Sequence, residues 1–191
     1  MNRDPDKLNL LHLTTREEWC AWLTEHYTSQ KEIWLVYYKK HTGQPRIPYN
    51  DAVEEALCFG WIDSRVKSIA EDRFAQRFSP RKPESRYSQA NKERLKALVE
   101  QGKVIPEIAA TVEDFAEEVF EIPADILTAI QGSPQAWENF KGFSQAYIRI
   151  RIAFIDSARK RPQEFEKRLR YFIQMTEKNK PFGFGGIEKN Y

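Results

Sequence analysis

Asp63, Ser64, Arg65 and Cys58 fall within eight residues of one another, in "CFGWIDSR". A nucleophile of this kind needs a base within hydrogen-bond reach. None of His12, His26 and His41 is close in sequence, and no G-x-S-x-G elbow is present. Asp63 and Ser64 are therefore the candidate catalytic pair only if the fold brings a base to them. The reaction class would be acid–base work on a phosphorylated or carboxylated small molecule.

The longer stretch from Phe59 to Asn91 suits an anion better. It carries Arg65, Lys67, Arg73, Arg77, Arg81, Lys82 and Arg86 and then enters a helix at Ser88. A helix N-terminus offers free N–H groups and partial positive charge, and arginine grips a carboxylate or phosphate through two parallel hydrogen bonds. Ser79, Ser85, Ser88 and Asn91 add neutral donors. Trp61, Phe78 and Tyr87 offer rings for stacking. The candidate ligand set is Trp61, Asp63, Arg65, Arg77, Ser79, Arg81, Lys82, Ser85, Arg86, Tyr87, Ser88 and Asn91. The competing account is structural. The prolines at 80 and 83 fix a loop, Ser88 caps a helix, Asp63 satisfies a turn or an arginine, and the arginines dock on the chain's own acidic block.

The charge pattern makes that competition real. The 191 residues sum to +2, but residues 1–63 carry −3, 64–96 carry +6, 97–140 carry −8 and 141–180 carry +7. Two basic blocks interleaved with aromatics suit a phosphate backbone. The small total and the lack of a known motif argue against nucleic acid as a partner, and leave an anionic small molecule or a protein as the expected ones. The acidic 107–121 helix is the candidate protein-binding face. No glycine-rich phosphate loop is present, because "GFGG" at 183–186 opens no helix. Cys20 and Cys58 stand 38 residues apart without a CxxC or a Cys/His cluster. They read as free thiols, with no metal site and no cofactor expected. No run reaches the ~20 apolar residues of a membrane span, and "MNRDPDKLNLLHL" has no signal-peptide core. The expected address is the cytoplasm, without membrane insertion.

The elements that must position these residues read as α+β: a small antiparallel sheet with packed helices, followed by an all-helical part. "LNLLHL" suits a short strand. Thr15 and Glu18 form a capping box for a helix through Trp19, Trp22, Leu23 and His26. "KEIWLVYYKK" reads as a buried strand. Residues 49–62 read as a helix capped by Asn50 or Asp51. Residues 64–79 read as a hairpin turning at 70–72, with Phe74, Gln76 and Phe78 on one side. Ser88 starts a helix that Gly102 ends. Ile108, Val112, Phe115 and Val119 make a helical stripe. Two short helices follow at "PADILTAI" and "SPQAWENF". "YIRIRI" alternates like a strand, but Ile148, Ile152, Ile155 and Arg159 fit one helical face, and helix is the reading adopted. Residues 161–178 are amphipathic through Phe165, Leu169, Phe172 and Ile173, and the chain ends in a surface tail. The expected division is 1–102 and 103–191, packed as one unit.

These motifs resemble a family. "WLVYYKKHTG", "EEALCFGWIDS", "RFSPRKPESRYSQAN" and "LVEQGKV" look like the N-terminal signature of the YdeI/OmpD-associated, or bacteriocin-protection, proteins. "WENF", "YIRIRIAFIDSARKRPQEFEKRL" and "KPFGFGGIEKNY" resemble the helical second half, so the likeness runs from about 10 to 191. The resemblance implies a bacterial cytoplasmic protein involved in bacteriocin protection or stress response. The family has no agreed catalytic set, so it carries none over. Its signature positions here are Gly60, Trp61, Ile62, Asp63, Arg77, Phe78, Pro80, Arg81, Lys82, Ser85, Ser88 and Asn91. Two departures stand out. Tyr87 replaces the usual tryptophan, and Arg161-Pro162 replaces a Thr-Arg pair.

Overall fold

A computed structural model describes residues 8–116 and 118–183. The chain is α+β, with a four-stranded sheet and eight α-helices among the described residues. It divides into two compact units. The first contains the described residues up to Arg86 together with Arg94–Asp114, and the second contains Tyr87–Glu93 together with the described residues from Phe115 onward.

In the first unit, β1 (Leu10–Leu11) is followed by α1 (Arg16–His26), whose Thr15–Glu18 capping box is complete. β2 (Ile33–Tyr38) is buried on both faces, which is why it reads as an unbroken apolar run rather than an alternation. α2 (Tyr49–Cys58) begins one turn earlier than its polar cap candidates imply. Pro48 is the N-cap, and neither Asn50 nor Asp51 caps it. Asn50 instead donates to Glu54 (2.5 Å) and accepts from Arg94. The helix also stops at Cys58 rather than 62, because Gly60 turns the chain with φ +71° into β3 (Trp61–Ser68).

β3 pairs antiparallel with β4 (Arg73–Pro80), and β4 with β2, in the order β1-β2-β4-β3. A register shift between Asp63 and Val66 places Ser64 and Arg65 in a bulge. Side chains in register share a face, so Leu35, Tyr37, Phe74, Gln76, Phe78 and Asp63 lie on one side of the sheet. Helices α1 and α2 pack over this face. The fully buried Trp19 ring meets Phe78 edge-on at 5.5 Å, and its indole donates to Ala52 O of α2 (3.0 Å). α3 (Gln89–Glu100) and α4 (Pro106–Ala116) follow. Residues 94–100 and 106–114 of these helices belong to this unit.

α4 is shorter than the expected 107–121 helix. It ends at Ala116, and residues 118–123 have no regular structure. Val119 is therefore not on a core stripe, and it is 87% exposed. The physical reason lies in "EEVF": two acids at a helix C-terminus oppose the macrodipole, and a β-branched residue follows them.

The second unit is helical: α5 (Ala124–Gln131), α6 (Pro134–Lys141), α7 (Gln145–Asp156) and α8 (Pro162–Glu177). Its core joins Ile126, Ile130, Phe140, Ile148, Ile152, Ile155 and Phe172. "YIRIRI" is helical. Ser144 caps it by accepting from Tyr147 N–H (3.1 Å), and Ile148, Ile152 and Ile155 face the core at helical spacing. Arg151 is buried with its guanidinium over the Phe182 ring at 4.1 Å. Tyr147 OH both donates to Phe182 O (3.1 Å) and accepts from Phe182 N–H (3.0 Å), which ties down the described end of the chain. The rest of the expected tail, 184–191, lies outside the described residues, as does most of "GFGG". No described helix is long and apolar enough to cross a membrane.

Candidate functional site

Asp63 sits on the helix-covered face of the sheet. Its Oδ2 accepts from Tyr49 OH (2.9 Å), at the first turn of α2, and from Gln76 Nε2 (3.2 Å), on β4. Tyr37 lies on the same face, 2% exposed, with its ring stacked on Phe74 and its hydroxyl without a hydrogen-bond partner among the described residues. Burial, then the neighbouring phenol of Tyr49 and the Asp63 carboxylate, push the Tyr37 phenol well above its usual range. Burial and Asp63 do the same to Tyr49. Both phenols are thereby held neutral, and Tyr49 is kept as a donor.

Ser64 points elsewhere, as consecutive strand residues do. Its hydroxyl accepts from Arg77 Nη1 (3.2 Å). The structure does not bring Asp63 and Ser64 together. The histidines are engaged at other places. His12 meets Pro45 O and the Tyr38 ring, His26 packs edge-on to Trp22, and His41 is exposed in the 3-10 turn Lys40–Thr42.

The remaining candidates scatter. Trp61 is 1% exposed, donates to Tyr27 O (3.1 Å) and packs edge-on to Trp22, so its ring has no free face for stacking on a ligand. Arg77 is held by Glu32 and Ser64. Arg65 is exposed in the bulge. At about 3.3 Å per strand residue it lies roughly 13 Å along β3 from the Trp61 end. Ser79 is half-buried opposite Ile62. Arg81 leaves β4 with its backbone N–H on Gly60 O (2.8 Å). Lys82 O then accepts from Ser85 N–H (3.0 Å), closing a turn around Pro83. Lys82, Ser85 and Arg86 are exposed on that loop.

Tyr87, Ser88 and Asn91 belong to the second unit. Tyr87 packs on Phe115 (5.4 Å), and Ser88 Oγ accepts from Asn91 N–H (3.3 Å) as the cap of α3. Of the twelve candidates, the loop at 81–86 keeps Arg81, Lys82, Ser85 and Arg86 in one place. On α4, Glu107, Glu113 and Asp114 are exposed, and Glu107 and Asp114, seven residues apart, share a face.

Tyr37, Tyr49 and Gln76 escaped the reading of the sequence as site residues. One signal for them was present: Gln76 sits between Phe74 and Phe78 on a buried strand face, where a polar residue requires a partner. A second buried polar group joins Arg16 to Glu54 (3.0 Å) and to Glu55. Glu55 is 6% exposed and lies beside both thiols. No group of three or more metal-ligating side chains is found among the described residues.

Residues 11–111 match the model of a "Domain of unknown function (DUF8412)". Residues 119–179 match the model described as "Bacteriocin-protection, YdeI or OmpD-Associated". The resemblance read from the motifs holds for the C-terminal part, where "WENF" and "YIRIRIAFIDSARKRPQEFEKRL" lie within the second match, whereas the motifs read as its N-terminal signature fall within the first, a different family. No curated protein and no solved structure matches the chain significantly.

Proposed function

This chain belongs to the DUF8412 domain family through residues 11–111 and matches the YdeI/OmpD-associated model over residues 119–179, and from that premise we propose a non-catalytic binding protein that takes an anionic small molecule or anionic partner group on the loop Arg81–Arg86, serving bacteriocin protection or stress response in the cytoplasm. One observation carries the reading. The turn closed by Ser85 N–H and Lys82 O, and tied to Gly60 through Arg81, holds Lys82, Ser85 and Arg86 outward on a fixed backbone. A fixed loop bearing two cations and a hydroxyl loses little freedom when it binds a phosphate or carboxylate. Asp63 supports the non-catalytic side, since its partners are Tyr49 and Gln76 rather than Ser64 or a histidine.

The test is a titration of the full chain with phosphate, nucleotides and dicarboxylates, followed by thermal denaturation. A ligand at 100 times its dissociation constant raises stability by about 2.7 kcal/mol. The shift is expected to disappear in a Lys82→Ala/Arg86→Ala variant. Absence of any shift, or one that the variant retains, rules the loop out.

A second reading has its own observation. On α4, Glu107 and Asp114 lie seven residues apart on one exposed face, with the exposed Glu113 about 100° round from Asp114, which suits a basic protein partner. Pull-down of such a partner by the full chain, lost in a Glu107→Lys/Asp114→Lys variant, would favour this reading over the loop.

A further inference from the structure

The outer face of α8 carries two adjoining surface depressions that meet at Lys167, one bordered by Arg161 and the other by Arg170, Tyr171, Gln174 and Glu177, whose carboxylate accepts from the Ser133 hydroxyl (2.8 Å). Lys167, Arg170, Gln174 and Lys178 recur at three- and four-residue steps and so share a face. Arg161, Lys167, Arg170 and Lys178 are exposed, and none of them closes an ion pair among the described residues. Glu164, the carboxylate that feels Arg161 and Lys167, is taken by Arg168 (2.8 Å). At about 1.5 Å per residue, the row from Arg161 to Lys178 is about 25 Å long. In its middle, Tyr171 is 48% exposed and packed at 76° to the Phe182 ring.

We propose that this face of α8 binds single-stranded nucleic acid, with phosphates along Arg161, Lys167, Arg170 and Lys178 and a base stacked on Tyr171. Cations in a row with a half-open ring between them match a chain that presents phosphates at intervals and a flat base beside each one. An acidic peptide would supply the charges but no flat base for the ring. The chain's total of +2 argued against nucleic acid, but counterion release is local, and residues 141–180 carry +7. The inference goes beyond the loop at 81–86 and lies in the other unit.

The test is fluorescence anisotropy of the full chain with a labelled oligothymidylate of about 20 nucleotides, longer than the usual single-strand site. Binding at low salt is expected to weaken with a log–log salt slope of about −3, for four phosphate contacts. Lys167→Glu/Arg170→Glu, on exposed positions, is expected to abolish it. Tyr171→Ala and an abasic oligomer are each expected to weaken it roughly tenfold, and Tyr171→Phe to preserve it. Lys82→Ala/Arg86→Ala is expected to leave it unchanged, which separates this face from the loop. No binding at low salt overturns the proposal. So does binding that survives the charge reversal, that depends on Lys82 and Arg86, or that polyglutamate displaces as well as the unlabelled oligomer does.

Discussion

Arg77 is held by Glu32: Nη2 and Nε lie 2.8 and 2.9 Å from the same carboxylate oxygen, joining β4 to the residue before β2. The central arginine of the basic hairpin is thus part of the sheet's own bracing. Arg73 makes a similar use of Tyr38, donating to its hydroxyl (3.1 Å). The density of arginine at 64–86 therefore serves two purposes. Strand β4 commits Arg73 and Arg77 to internal partners, while Arg65 in the β3 bulge and Lys82 and Arg86 on the loop after Pro80 are exposed.

A double-mutant cycle on Glu32→Ala and Arg77→Ala is expected to give a coupling of about 0.5–1 kcal/mol, the upper part of the range for partly exposed pairs. Side-chain exposures of 28% and 27% keep it from being larger. The coupling should shrink in high salt. A coupling indistinguishable from zero in urea melts would mean that the pair contributes nothing to the sheet.

The Tyr37 and Tyr49 phenols set an alkaline limit on stability. Their folded-state pKa values are raised, by burial first, then by Tyr49 and Asp63 for Tyr37 and by Asp63 for Tyr49. Unfolded tyrosine ionises near 10. A raised acid pKa means that the unfolded chain loses its protons first, so the contribution is complete below about pH 10 and falls as pH rises beyond it. Tyr49→Phe also removes a hydrogen bond to a carboxylate and is expected to cost about 1–2 kcal/mol. A native ultraviolet titration that shows all phenols ionising together near pH 10 would contradict the geometry around Asp63.

Much of this was legible in the sequence, and the particular residues show why. Thr15 and Glu18 marked α1 because a capping box is a local contact, and the isoleucine spacing identified α7 as a helix. Phe74, Gln76 and Phe78 were placed on one side of β4 because a strand alternates strictly. The Asp63 site was not legible. Its partners come from α2 and β4, 14 and 13 residues away, and only the sheet register brings them together. Trp61 misled for a related reason. An aromatic beside arginines suits a ligand platform, yet its environment is set by Tyr27 and Trp22, 34 and 39 residues earlier in the chain.

Gly60 is expected to resist substitution for two separable reasons. Its φ of +71° is strained for any other residue, and an added Cβ would lie 2.6 Å from Ile108 Cδ1. Gly43 shares the first difficulty, with φ +66°, but has open space around it. Gly43→Ala should therefore cost about 1–2 kcal/mol from the backbone alone, and Gly60→Ala about 1–3 kcal/mol more from overpacking. Equal losses in the two variants would show that Ile108 does not pack over the α2–β3 turn.

The two cysteines offer a last check on the first unit. Both are free; Cys58 is 1% exposed and Cys20 partly exposed. Burial, with Glu55 second, pushes the Cys58 thiol up to about 12, and the same two causes raise Cys20. The thiolate is the reactive form, so near pH 8 native protein should react with a disulfide reagent slowly at Cys20, and at Cys58 only through opening. Both should react at once in denaturant. Glu55→Gln removes the negative charge beside Cys20 and should speed that thiol. It also weakens the ion pair with Arg16, so the comparison needs a thermal melt to show that the variant is still folded at the assay temperature. Reaction of Cys58 in folded protein at the rate of an exposed thiol would mean that α2 is not packed as described.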